Sequence, residues 1–108
     1  RKESSAASDV YKRQNNYGAE NIFSLCIDEV FYIHNTGVVV TGRVENGCIT
    51  QGAKLKISGD NVELRAGCLK LEKYFKDIRE AHAGVYIAIT LSGVSKIQIH
   101  RGMLIVED

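Results

Sequence analysis

The feature that most constrains this chain is an alternation of apolar and polar residues, recurring in short runs from Phe23 onward. Phe23, Leu25 and Ile27 alternate with Ser24, Cys26 and Asp28. Successive side chains of an extended strand point to opposite faces, so a period of two describes a strand with one buried face. The phase changes near Val30-Phe31, which predicts a bulge or bend before Ile33. His34-Asn35-Thr36-Gly37 reads as a turn. In the next run Val38, Val40 and Val44 face inward, and Gly42 marks a place where the sheet curves tightly.

Asn46-Gly47 is a second turn, since both residues tolerate the positive φ of a tight reversal. Leu55 and Ile57 alternate with Lys54 and Lys56 in a third strand. Val62 to Ala66 and Leu69 to Phe75 read as two more, whereas Lys76 to His82 is polar and reads as a helical turn. Val85 to Leu91 is a β-branched run, and Met103 to Val106 closes the chain. Six or so short strands with turns between them predict an all-β barrel or sandwich. A closed barrel is favoured, because it hides the open edges that Val- and Ile-rich strands would otherwise expose.

The first 21 residues break this pattern. They are rich in Ser, Ala, Asn and charge, show no periodicity, and are expected to be a disordered leader. Ser5 to Gln14 has the look of adapter sequence rather than native protein. The expected organisation is a leader over 1–21 and one barrel over 22–108, matching the single domain that 108 residues can supply.

Composition narrows the function. The net charge is +1, with four basic and two acidic residues in 1–13 and ten against eleven in the rest. A protein that grips a nucleic-acid backbone is usually strongly basic on one face, so DNA is not an expected partner and any RNA contact must be local. No apolar run approaches the ~20 residues of a membrane span, and no membrane partner is expected. Cys26, Cys48 and Cys68 form no C-x-x-C pair, which fits a reducing, cytoplasmic setting better than a disulfide framework. With His34, His82 and His100 they lack the short paired spacing of a zinc site, so no metal is expected.

No catalytic constellation emerges either. Gly47 to Lys54 resembles a phosphate loop only superficially, because Ala53 separates Gly52 from Lys54 and a strand follows where a helix is required. Asp28-Glu29 is the one acidic doublet on a strand, and neighbours on a strand point apart. The chain reads as a non-enzyme without a cofactor.

Several blocks in order resemble domain 2 of elongation factor Tu. They are Ile27 to Phe31, Gly37 to Gly47, Leu71 to Lys76, Glu80 to Gly84, Leu91 to Val94 and Arg101 to Met103, and the similarity runs over residues 23–108 without a large gap. The resemblance implies a closed six-stranded, Greek-key-like β-barrel of the translation-factor type. In translational GTPases such a barrel packs on the GTP-binding domain, and in elongation factor Tu it helps hold the 3′ aminoacyl end of tRNA. Carried over, that surface falls on Asp28, Glu29, Phe31, Val39, Thr41 and the segment after Gly84. There the family's acid and Asn are replaced by Val85 and Tyr86. The strand phase agrees, because Val39 and Thr41 point away from the core that takes Val38 and Val40.

Two functions follow from the resemblance. One is a non-catalytic binding module that docks a protein partner, such as a GTPase domain, or an RNA 3′ end through Asp28–Phe31, Val39–Thr41 and Tyr86. The other is a piece of a translational GTPase whose GTP-binding domain lies outside this chain.

Overall fold

The computed structural model describes residues 22–108. The leader expected over 1–21 lies outside the described residues. Ten strands follow one another: β1 (Ser24–Cys26), β2 (Glu29–Ile33), β3 (Gly37–Asn46), β4 (Cys48–Thr50), β5 (Lys54–Gly59), β6 (Val62–Lys73), β7 (Lys76–Ile78), β8 (Glu80–His82), β9 (Tyr86–Ser92) and β10 (Leu104–Glu107). A 3-10 turn, Lys96–Gln98, lies between β9 and β10.

Six strands close a ring in the order β1-β10-β5-β6-β9-β3, and β3 returns to β1. All the pairings are antiparallel, and the seam is made by Leu25 opposite Ile105 on one side and Val44 on the other. This is the closed six-stranded barrel that the alternation and the resemblance predict. β2 and β7 extend the sheet by pairing with β3 and β6, while β4 and β8 form a separate two-stranded ribbon.

The residues of the apolar phases fill the interior: Phe23, Leu25, Ile27, Val38, Val40, Val44, Leu55 and Ile57 belong to one buried cluster, which Leu71, Ile89 and Ile105 join. Val39 is also buried, yet lies outside that cluster. It faces the opposite side of β3, as its position between Val38 and Val40 requires.

Four local readings change. The bend in the first run falls at Ile27-Asp28, between β1 and β2, and not at Val30-Phe31. The two strands expected over 62–75 are one strand, β6, with an irregularity between Cys68 and Lys70. Lys76–His82 is not a helical turn but two short strands, β7 and β8, whose exposed residues lack the apolar signal of a strand. Gly47 does take a positive φ of 66°, but the strand after it leaves β3 to pair with β8.

Gly42 explains the bend. Along one edge of β3, Gly37 to Thr41 pair with β2, and Val44 and Asn46 pair with β1. Gly42 sits at the changeover, where a Cβ would collide with the carbonyl oxygen of Cys26 and lie 2.8 Å from Leu25 Cδ2. Only glycine lets β1 press so close. The chain then swings out through Asp28, whose N–H donates to the Thr41 carbonyl at 2.7 Å.

Candidate functional site

β2, β3, β9 and β6 lie side by side, and their outward residues form one continuous face. Phe31 stands opposite Val39, Val39 opposite Thr90, and Thr90 opposite Lys70. One step along, Glu29, Thr41, Ala88 and Glu72 make the next row. Tyr86 follows at the head of β9, opposite Arg43 and diagonal to Thr41. Directly opposite and diagonal neighbours on a sheet face are within side-chain reach, so these residues work as a patch.

The face is hollowed into a groove of about 400 Å3, within the range of a small-ligand site. Phe31, Ile33, Val39 and Ala88 give it an apolar floor, and Tyr74 and Phe75 at the β6–β7 turn also line it. Phe31 is 44% exposed. Such an aromatic face is physically able to stack on a base or an apolar side chain.

The other end of the groove is polar. The Tyr86 hydroxyl donates to Asp28 Oδ2 at 2.6 Å. A phenol has one proton to give, so the 3.0 Å contact with Thr41 is a donation from the Thr41 hydroxyl to the phenol oxygen. The hydrogen bond to Asp28 pushes the Tyr86 phenol above its ordinary range, because that bond is lost when the phenol ionises. Donation from Thr41 opposes the shift, while partial burial and the charges of Asp28 and Glu29 add to it. Asp28 and Glu29 therefore both bear on one hydroxyl. Asp28 lies in the bend before β2, so the doublet is not carried by one strand as expected, and only Asp28 bonds the hydroxyl.

The structure thus brings all six expected residues together. Phe31, Val39, Thr41 and Tyr86 line the groove, Asp28 is tied to its polar end, and Glu29 is paired beside Thr41. Sequence reasoning missed Ile33, Glu72, Tyr74, Phe75 and Ala88. The outward positions of β9 and β6 follow from register, and register is invisible until the strands are paired. Nothing at Tyr74-Phe75 announces a turn, since neither residue is a turn former.

The three cysteines divide between exposed Cys26 and Cys48 and buried Cys68, whose thiol burial pushes up in pKa. Among the described residues, no group of three or more His, Cys, Asp and Glu side chains is placed to hold a metal ion. Among the same residues, no helix is long and apolar enough to cross a membrane.

Comparison with known proteins gives two findings. The family model described as "Elongation factor Tu domain 2" matches residues 37–106, more than half of the chain. Among solved structures, the chain is similar to translation elongation factor SelB from Methanococcus maripaludis in its apo form, with 28% identity and a TM-score of 0.75. It is also similar to the same factor in complex with the GTP analogue GppNHp, with 27% identity and a TM-score of 0.73. Each match covers 82% of this chain and 19% of the factor, so the chain spans about a fifth of the length of these proteins.

Proposed function

Since the chain belongs to the elongation factor Tu domain 2 family, we propose that it is the second-domain barrel of a translational GTPase and that its outer groove binds the aminoacyl end of an RNA. The chemistry of the groove carries this reading: an apolar floor ends in a carboxylate-anchored phenol. An aminoacyl ester is amphipathic in the same sense. Its side chain is suited to the floor beside Phe31 and Val39, and its α-ammonium group to the negative potential of Asp28 and Glu29. A bare phosphate backbone is a poor fit, because the same carboxylates repel it.

A piece of a larger factor has more behind it than a stand-alone module. Both solved structures are elongation factors of which this barrel is a small part. On this reading the barrel binds rather than catalyses, its second partner is the factor's own GTP-binding domain, and its setting is cytoplasmic.

The test is titration of the 108-residue chain with a 3′-aminoacylamino-adenosine, followed by amide chemical shifts, with adenosine as the control. The expected result is shifts at Thr41 and Tyr86 with the aminoacyl compound and not with adenosine. Phe31→Ala is expected to weaken binding about tenfold, as loss of one stacking ring does, with little change in melting temperature because Phe31 is half-exposed. Unchanged affinity in Phe31→Ala would remove the groove from consideration.

A further inference from the structure

The two-stranded ribbon of β4 and β8 sorts its side chains by face. The Gln51 N–H donates to the Arg79 carbonyl at 2.9 Å, and the Ala83 N–H to the Gly47 carbonyl at 3.1 Å. Hydrogen-bonded and non-hydrogen-bonded pairs alternate along an antiparallel ladder, so Ile49–Ala81 is of the first type and Cys48–His82 and Thr50–Glu80 are of the second. Side chains approach most closely across the second type, with Cβ atoms about 4.5–5.5 Å apart. Ile49 and Ala81 are buried, which leaves Cys48, Thr50, Glu80 and His82 exposed on the outer face.

Cys48 therefore has an imidazole directly across from it, and that imidazole is itself held. His82 Nε2 lies 2.9 Å from Glu80 Oε2. An ionised carboxylate only accepts, so Nε2 carries the proton and Nδ1 of the neutral ring keeps its lone pair. A thiol that faces a basic nitrogen oriented by a carboxylate is arranged to lose its proton as the sulfur attacks. The other cysteines lack this setting. Cys26 is exposed opposite Leu104, and Cys68 is buried. Cys48, Glu80 and His82 are not placed to hold a metal ion, so the chemistry open to them is that of the thiol.

The hollow beside the thiol indicates the reagent. Thr50 and Glu80, the next pair along, line a depression of about 550 Å3 together with Gln51, Leu69 and Arg79. It shares no lining residue with the outer groove. Gln51 Nε2 is committed to the Leu69 carbonyl at 3.0 Å. Arg79 makes no ion pair with another described residue. A guanidinium in that state takes a carboxylate, and the volume is that of a small-ligand site.

We propose that Cys48 is a modification site for a small disulfide bearing carboxylates, of the glutathione disulfide class, with Arg79 as the docking cation and His82 as the proton acceptor. The Cys48 sulfur attacks one sulfur of the reagent, and a new S–S bond forms as the old one breaks. His82 Nδ1 takes the Cys48 proton and passes it to the departing thiolate. Cys48 is oxidised to the mixed disulfide while the other half of the reagent is reduced to a thiol, so no further oxidant is needed.

The test incubates the 108-residue chain with glutathione disulfide near neutral pH and follows each cysteine by peptide mass mapping. Cys48 is expected to gain one glutathione about tenfold faster than Cys26 does, Cys68 to stay unmodified, and dithiothreitol to remove the adduct. His82→Gln is expected to slow Cys48 about tenfold. Its melting temperature should match that of wild type, because the His82 side chain is 65% exposed. Arg79→Gln is expected to slow the reaction with glutathione disulfide about threefold or more and to leave the reaction with uncharged hydroxyethyl disulfide unchanged. Equal rates at Cys26 and Cys48 in wild type would overturn the proposal without recourse to any variant. So would a wild-type rate in His82→Gln, and an Arg79→Gln variant that treats both reagents alike would overturn the class of reagent. Neither the outer groove nor an aminoacyl nucleoside takes part, so failure here and failure of the binding proposed above are separate results.

Discussion

At the scale of single residues, the hydroxyl of Tyr86 organises the polar end of the groove. Its proton goes to Asp28 and its oxygen receives the Thr41 hydroxyl. The folded protein holds this proton more tightly than the unfolded chain, because the phenol is raised above its ordinary value of about 10. The resulting stabilisation is complete below that ordinary value and is lost as pH rises through the raised one. Asp28→Asn removes both the negative charge and the stronger acceptor. The tyrosine titration that is absent in Tyr86→Phe should therefore move to lower pH in Asp28→Asn, followed by phenolate absorbance. An unmoved titration would mean that the carboxylate does not hold the hydroxyl in solution. From the sequence, Tyr86 is legible as a position, being two residues past Gly84, but its partner is not. Asp28 and Tyr86 are 58 residues apart, and the bend that joins them depends on a glycine in a third segment.

At the scale of elements, the long strand β3 carries most of the site. It pairs with β2 and then β1 along one edge and with β9 along the other, and Gly42 permits the change of partner. Gly42→Ala should lower stability by about 1–3 kcal/mol, the usual cost of overpacking, because its methyl group would be forced onto the Cys26 carbonyl. Urea unfolding measures the loss, and an unchanged midpoint would show that β1 yields without cost. The β-branched run from Val38, with Val38, Val40 and Val44 in one phase, made this strand readable, because that face meets the core. β7 and β8 were not readable for the converse reason. Lys76, Asp77, Glu80 and His82 are exposed and polar, so no period of two survives to separate a strand from a turn. The groove falls between these cases. Phe31, Val39 and Thr41 could be assigned to an outward face, but Tyr74 and Phe75 reach the groove's lining only because β6 reverses at a point that its residues do not advertise.

At the scale of the whole molecule, one cluster of inward side chains supports all six strands of the ring. Val40 lies at its centre with no exposure. Val40→Asp should abolish the cooperative thermal transition, since an unpaired buried charge costs several kcal/mol or more against a total stability of about 5–15 kcal/mol. A melt at unchanged temperature, followed by circular dichroism, would show that the inside and outside of β3 have been reversed. The ring also has a seam, where β1 lies between β3 and β10. Its two sides are written at opposite ends of the described chain, with Leu25 mating to Ile105. During synthesis on a ribosome, an apolar edge therefore stays unmated until Ile105 has cleared the exit tunnel. For this barrel the nascent chain's most vulnerable interval comes late, and the last strand to emerge is the one that ends it.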